Sequence, residues 1–518
     1  MNTDTIAPYE SQLRVRDGFV HLLRAEWTKF RTVRGWVIGT VAAVLVTVLV
    51  GLLGPAGSQV VCQGADGSAC PGDTAPPLGP DGEAVTDSSY FVHQPLAGDG
   101  SITARVTSLT GQSDEGPNDT HDGAEPWAKG GIMIKEGTTQ GSTYAAMMVT
   151  GSHGVRMQYD YTHDLAGTPG AVSAASPRWL RLTRSGATVT GADSVDGSHW
   201  SVLGSATLPG LSSTAQVGMF ATSPMHVELT GSFSGDTTSG SATATAVVDD
   251  VSLTGRRATG TWTGDDIGGL MGKDAAFKQA DGRFTLSGSG DVAPSEPSPT
   301  VSGRKLEDAL VGTFAGLIVM IVVASMFVTS EYRRGLIRTT LAANPRRGRV
   351  LAAKAVVVGA VAFVAGVVAA VVAVPVVAAL EQAKGLNVYP VAWPTELRLV
   401  VGTGALLAVA AVFALGIGVV LRRGAGAVTT VIVVIALPHI LGVTGVLSPA
   451  AAQWLLRVTP AAGFAVQQSM PEYPQLTMDY TPDGGYYPLP PWVGFAVLCA
   501  YAALAMGLAT FLLRRRDV

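Results

Sequence analysis

The stretch Trp36–Leu53, WVIGTVAAVLVTVLVGLL, runs for eighteen residues without a charge. At about 1.5 Å per residue a helix of that length spans roughly 27 Å, close to the hydrocarbon thickness of a bilayer. The sequence beyond Leu53 decides the architecture. Roughly 250 polar, Gly/Ser/Thr-rich residues pass before the next apolar stretch begins near Leu306. A soluble domain is therefore inserted after the first membrane helix. Five further apolar stretches, Leu310–Thr329, Val350–Leu380, Leu399–Leu421, Val428–Leu447 and Trp492–Leu513, complete a six-helix count. The predicted fold class is a membrane α-helical bundle of six transmembrane helices plus an all-β extracellular sandwich. The 518 residues, 47% hydrophobic and 14% charged, are too apolar for a soluble protein and too interrupted for a compact membrane one.

Charge orients the spans. Arg24, Lys29, Arg31 and Arg34 precede the first, Arg333 to Arg349 follow the second, Arg422 and Arg423 follow the fourth, and Arg514 to Arg516 follow the sixth. All fall on one side, which the positive-inside rule makes cytoplasmic. The chain is then a multi-pass cell-membrane protein with both termini cytoplasmic. The insertion, a short loop at Glu381–Glu396 and a longer one at Ser448–Pro491 lie outside. The basic clusters are accounted for as membrane flanks, so no nucleic-acid partner is expected. Reading Trp36–Leu53 as a cleaved signal peptide is disfavoured by its long basic flank and by Pro55-Ala56-Gly57, a poor cleavage site.

Residues 1–35 form a cytoplasmic tail and an amphipathic helix. Phe19, Leu22, Leu23, Trp27, Phe30 and Val33 recur at helical spacing, and Asp17 is placed to cap the start. The helix is expected to lie in the inner interface, with Trp27 at headgroup depth and Lys29, Arg31 and Arg34 toward anionic lipid. Residues 36–54 are the first span and 55–305 the insertion. Residues 306–518 carry the other five spans, with a cytoplasmic loop at 330–349. That loop is denser in arginine than topology requires. Glu331, Tyr332, Arg333, Arg334, Arg338, Arg346 and Arg347 suit docking onto an acidic protein surface through forked hydrogen bonds, set against a plain positive-inside anchor.

The run from Leu23 to Arg34, LRAEWTKFRTVR, and the Glu331–Arg349 loop resemble the actinobacterial permease subunits of ABC exporters. Thr459-Pro460-Ala461-Ala462-Gly463-Phe464 is similar to the re-entrant segment such permeases carry before their last span. The resemblance covers the N-terminal helix and everything from about Leu306 onward. It implies an elbow helix, a coupling helix after the second span, a separate ATPase subunit that docks there, and a second permease per transporter. It also implies that the chain is no enzyme and holds no cofactor of its own, with ATP and magnesium in the partner. The nearest approach to a phosphate loop, Gly268 to Asp274, has the wrong spacing and Asp where a magnesium-binding hydroxyl is needed. Charges are nearly absent from the spans, which argues against an ion-coupled carrier. Pro375 and Pro438 are candidate kinks, and His439 reads as structural ahead of a substrate contact.

In the insertion, alternating runs such as Ile102/Ala104/Val106, Ile132/Ile134 and Leu180/Leu182 read as half-buried strands, with Asp196-Gly197 a tight hairpin turn. Residues 84–256 are expected to form an antiparallel sandwich and 257–305 a Gly/Pro/Ser-rich extension and linker, in which the Gly-rich tract at Asp265–Gly268 and Asp281–Asp291 is a candidate for a further strand and the Pro/Ser part is the linker. Pro126–Glu136, Arg178–Leu182, Ser194–Trp200 and Asp249–Leu253 are similar to concanavalin-like (laminin-G-like) domains. Such domains bind sugars and a few hydrolyse them, so carbohydrate is a candidate extracellular ligand. Trp127, Trp179 and Trp200 are candidate stacking rings, more often core at their positions. Asp160, Asp164, Asp249 and Asp250 read as solvated loop acids and not as a glycosidase pair. Cys62 and Cys70 are a candidate disulfide if this segment is outside, and no metal site accompanies them. The leading function is an ABC exporter permease with a ligand-binding or sensing outer domain. The rival is a membrane-anchored carbohydrate-binding sensor or adhesion protein that transports nothing.

Overall fold

A computed structural model describes residues 18–57, 75–116, 119–229, 237–257, 261–268, 276–295, 303–336, 339, 346–384, 387–476 and 480–515. The expectations for Asp17, Cys62, Cys70, Gly269–Asp274, Arg338 and Arg516 lie outside them.

Helix α1 (Phe19–Thr32) turns at Val33 into α2 (Arg34–Gly57). After the β domain come α3 (Thr313–Arg333), preceded by a 3-10 turn at Leu306–Leu310, then α4 (Arg347–Ala383), α5 (Trp393–Leu421), α6 (Gly424–Val443), α7 (Pro449–Val458) and α8 (Pro491–Arg515). Among the described residues six helices, α2 to α6 and α8, are long and apolar enough to cross a membrane. They bury a shared core that includes Leu317, Phe327, Val358, Leu407, Phe413 and Leu498. On the far side of α2, exposed Ile38, Val41, Leu45, Leu49 and Leu53 repeat at helical spacing, a stripe suited to lipid.

Small residues let α4 and α5 approach: a Cβ on Gly366 would stand 2.8 Å from the Gly404 Cα. Pro375 stays inside the continuous helix α4. In α6 the residues before Pro438, Ile432–Ala436, form a π-helical turn, a usual local adjustment where proline interrupts the hydrogen-bond ladder.

The β domain is two layers that share one long strand. Strand β2 (Ser89–Gly116) pairs in its first third with β11 (Thr214–Thr222) and β15 (Thr263–Ile267), and further on with β8 (Arg178–Ser185) and β14 (Ala242–Arg257). Beyond β11 one layer continues through β4 (Lys129–Lys135), β5 (Tyr144–Thr150), β6 (Val155–Tyr159) and β7 (His163–Ala166); beyond β8 the other continues to β9 (Thr188–Ser194) and β10 (Ser201–Thr207). Ile132, Ile134, Met147, Leu180, Leu182, Val217 and Val248 meet between them. The sandwich is thus observed, and it extends past Arg257. Strands β15, β16 (Ala276–Ala280) and β17 (Arg283–Gly288) join the same sheet, inside the segment expected to be extension and linker.

Strands β4 and β5 are buried on both faces. Their second face packs Phe91, Met133, Tyr144, Tyr161 and Phe220 under a small ribbon of β1 (Val85–Asp87) and β18 (Val292–Pro294). Alternation puts Lys129 and Lys135 on that face, fully buried. Lys129 Nζ donates to Asp291 at 2.5 Å, and Lys135 Nζ to Asp87 at 2.7 Å and Tyr161 Oη at 2.9 Å. Each buried cation has a carboxylate, as burial requires. The Asp196-Gly197 hairpin expectation is corrected: six residues separate β9 from β10, and the Asp196 carboxylate accepts from the Ser198 and His199 amides, making a longer side-chain-stapled turn.

Candidate functional site: the elbow helix and the loop after α3

Helix α1 is amphipathic, and its apolar edge seats on α3. Phe30 is buried with its ring centroid 5.8 Å from Phe327, and Trp36 meets the same ring edge-on at 4.8 Å. These aromatics place Glu26, one turn before Phe30, against the ends of α3 and α4. Glu26 is 2% exposed, Glu331 6% and Lys354 of α4 only 1%. Lys354 Nζ donates to Glu26 Oε2 at 2.7 Å and to Glu331 Oε1 at 2.6 Å. Lys29 closes the cluster at its rim, 2.8 Å from Glu26 Oε1 and 3.3 Å from Glu331 Oε1. Two carboxylates and two ammonium groups balance, and one buried lysine ties three helices together. At Lys29 burial alone would lower the ammonium pKa, but the two carboxylates more than reverse this and raise it.

The placement differs from the sequence expectation in two ways. Glu331, expected on a docking surface, points inward, and Lys29, expected toward lipid, meets carboxylates. Lys354 escapes the sequence reading, because one lysine among Val350–Leu380 looks like a flank charge until its partners, 328 and 23 residues away, are brought to it. Tyr332 is half-buried under the Arg422 guanidinium, 5.5 Å from its ring. Arg347 Nη1 donates to the Leu513 carbonyl of α8 at 2.5 Å. Arg333, Arg334, Arg346 and Arg349 are exposed, as are Trp27, Arg31 and Arg34. This end of the bundle therefore presents an arginine surface held by a buried ion-pair cluster.

At the opposite end α7 and a buried 3-10 stretch, Pro460–Gln467, turn back into the bundle. Gln467 Nε2 donates to Thr313 and Thr403 hydroxyls at 3.1 and 2.8 Å. His439 stacks between Phe314 and Phe464, with Tyr487 Oη 3.3 Å from its Nδ1. These contacts place His439 in packing. The β domain rests on this end. Gly303-Arg304 pairs in parallel with Asn387-Val388, Lys305 Nζ donates to Gly484 O at 2.6 Å, and Gln475, 1% exposed, donates to the Tyr161 and Thr162 carbonyls at 3.3 and 3.2 Å.

Within the β domain Trp127 is core, its ring 3.9 Å from His153. Trp179 and Trp200 are half-buried, with Arg105 and Arg181 over their faces at 5.5 and 3.7 Å. The three rings do not form an open platform. Of the four acids Asp250 is exposed, as expected, and the other three are engaged within the fold. Asp249 pairs with Arg105 at 2.7 Å, Asp164 with Arg156, and Asp160 accepts from Thr143 and the Tyr144 amide. Among the described residues no group of His, Cys, Asp and Glu is arranged to hold a metal ion.

Comparison with known proteins gives one family. A family model described as ABC-2 family transporter protein matches residues 137–518, starting inside the β domain and running through the last span. No curated protein matches the chain. Among solved structures, a functionally unknown protein from Saccharomyces cerevisiae is 16% identical over 33% of this chain and 76% of its own, with a TM-score of 0.22. Scytalido-glutamic peptidase is 8% identical over 39% of this chain and 98% of its own, TM-score 0.26. A GH43 protein from Bacillus licheniformis is 15% identical over 28% and 26%, TM-score 0.18. Likenesses that low bear on neither the fold nor the activity of this chain. The family match spans more than half of the sequence and takes in α3 to α6 and α8, five of the six described helices long enough to cross a membrane: the chain belongs to the ABC-2 family of transporter membrane proteins.

Proposed function

We propose that this permease subunit serves an ATP-driven exporter, that its ATPase partner docks on the arginine surface formed by α1 and the loop after α3, and that the β domain receives or senses a ligand outside the cell. The observation that carries the reading is the Glu26–Lys354–Glu331 cluster. It fixes the elbow helix and the start of the arginine loop to the same two transmembrane helices, so a push on that surface moves α3 and α4 directly. Exposed Arg333, Arg334, Arg346 and Arg349 supply the forked donors that an acidic protein surface would accept. The basic residues gather at that end and the β domain at the other, which by the positive-inside rule favours an outside position for the β domain. A sensor that transports nothing would need neither the buried cluster nor an arginine surface.

The test is charge reversal at Arg333 and Arg334, then purification of the chain with its ATPase. Loss of co-purification with the membrane protein still folded is expected. Unchanged co-purification and unchanged ATP hydrolysis would refute the docking assignment.

A further inference from the structure

The β domain holds a cavity of ≈ 680 Å³ where the β4–β5 turn, the β6–β7 turn and the β10–β11 loop converge. That volume falls in the range of small-molecule sites. Asp81, Glu136 and Asp160 line it, and no Lys or Arg does. Asp160 is built in: it is 8% exposed, and its Oδ1 accepts from Thr143 Oγ1 at 2.5 Å and the Tyr144 amide at 3.2 Å. Its Oδ2 is left without a hydrogen-bond partner among the described residues. Burial raises the Asp160 carboxyl pKa and Asp81 adds to the rise, while the Thr143 and Tyr144 hydrogen bonds and the neighbouring His163 act against it. Glu136 is fixed by the Ser212 amide at 2.5 Å. Around these acids stand the hydroxyl residues Ser142, Thr143, Ser205 and Thr207, and the stacked rings of Tyr159 and His163, 4.3 Å apart, offer an aromatic wall.

We propose that this cavity binds a small hydroxylated primary amine, its ammonium group between the Asp160 and Asp81 carboxylates and its carbon skeleton against Tyr159 and His163. The inference rests on the ligand-receiving role proposed for the β domain and assigns it a place and a chemistry. Anions are disfavoured by three carboxylates that no Lys or Arg of the lining offsets, and a purely apolar ligand would desolvate them without adding a partner. The site adjoins the permease: the carbonyls of Tyr161 and Thr162, next to Asp160, are the ones that Gln475 holds.

Binding is measured by calorimetry on the full chain in lipid nanodiscs with three probes. Chitobiose carries amines and hydroxyls, N,N′-diacetylchitobiose only the hydroxyls, and spermidine only the amines. The variants are Asp81→Asn and Asp160→Asn. Asparagine keeps an acceptor for Thr143 and tolerates the left-handed backbone at 160, where φ is 42°. Saturable binding of chitobiose is expected, weakened about tenfold or more in each variant, with the other two probes weaker. Asp81 is exposed, so its variant stays informative if Asp160→Asn does not fold. Three results overturn the inference: no binding of chitobiose, binding that neither variant affects, or equal binding of either control. Tight binding of the diacetyl probe that ignores both variants would overturn this cavity alone and leave the ligand-receiving role standing. Failure of that role is read separately, from a glycan and amine array that captures nothing with the full chain.

Discussion

Replacing Lys354 by methionine keeps the length of the side chain and removes the charge that joins three helices. In the native cluster Glu26 and Glu331 contribute two negative charges, and Lys29 and Lys354 two positive ones. At an effective dielectric near 20, two charges about 4 Å apart interact by roughly 4 kcal/mol. The lysine contacts here are shorter, 2.7 and 2.6 Å, but the desolvation cost of burying the lysine sets against them. Removing one partner of a buried pair typically costs about 3–5 kcal/mol, since the other charge stays buried and uncompensated. Lys29 still faces both carboxylates, with 38% of its side chain exposed, so the lower end of that range, about 3 kcal/mol, is expected. The assay is thermal unfolding in detergent, together with proteolysis of α1, which should detach. The control is the double variant Lys354→Met with Glu331→Gln, which restores neutrality through Glu26 and Lys29 and should recover most of the loss. If the single variant melts as the native protein does, or if the double variant is no better than the single, the cluster is not what holds α1.

Gln475→Leu leaves the Tyr161 and Thr162 carbonyls, the first buried and the second partly so, without their donor, at a cost of about 1–3 kcal/mol; amide exchange around 160–163 should quicken roughly tenfold, and unchanged exchange would show that the contact does not anchor the β domain. Gly366→Leu drives a side chain into the Gly404 backbone 2.8 Å away and should abolish the monodisperse folded species on size exclusion, whereas Gly507→Ala, with nothing within 4 Å, should be silent. Burial raises the Glu83 carboxyl pKa, and Asp81 and Asp160 raise it further, beside Tyr473 of the loop between α7 and α8. A raised acid is stabilising while protonated, below its unfolded value of about 4.3, and that contribution is lost as pH rises through the folded value. Glu83→Gln should therefore raise the melting temperature at pH 7.5, the difference from native closing as pH falls toward about 4; a difference that is independent of pH would contradict the assignment.

The six spans, the basic flanks, the elbow helix and the sandwich were legible because each is written in local periodicity: apolar runs long enough to cross a bilayer, helical spacing around Trp27, alternation along strands such as Ile102/Ala104/Val106. What was not legible depends on partners distant in the chain. Glu331 and Lys29 belong to surface-like patterns, and only the approach of Lys354 shows that they face inward. Lys129 and Lys135 bracket an alternating strand and read as its solvent face. They are buried because Asp291 and Asp87, on a ribbon far away in sequence, cover that face. Trp127 shows the reverse case, where the ordinary expectation of a core ring is what the packing gives. Beyond Arg257 the Gly-rich tract was read as adding a strand, and the sheet takes three, β15, β16 and β17, because its open edges offer hydrogen bonds to segments of weak strand propensity.

Whether the arginine surface at the α1 end is where the ATPase docks is tested most directly by a photo-crosslinking residue placed at Arg334 in the full transporter, compared with one placed at Gly484 at the β-domain end. A crosslink to the ATPase subunit is predicted from position 334 and none from 484. A co-purifying ATPase that crosslinks from 484, or that never crosslinks from 334, would contradict docking at that surface.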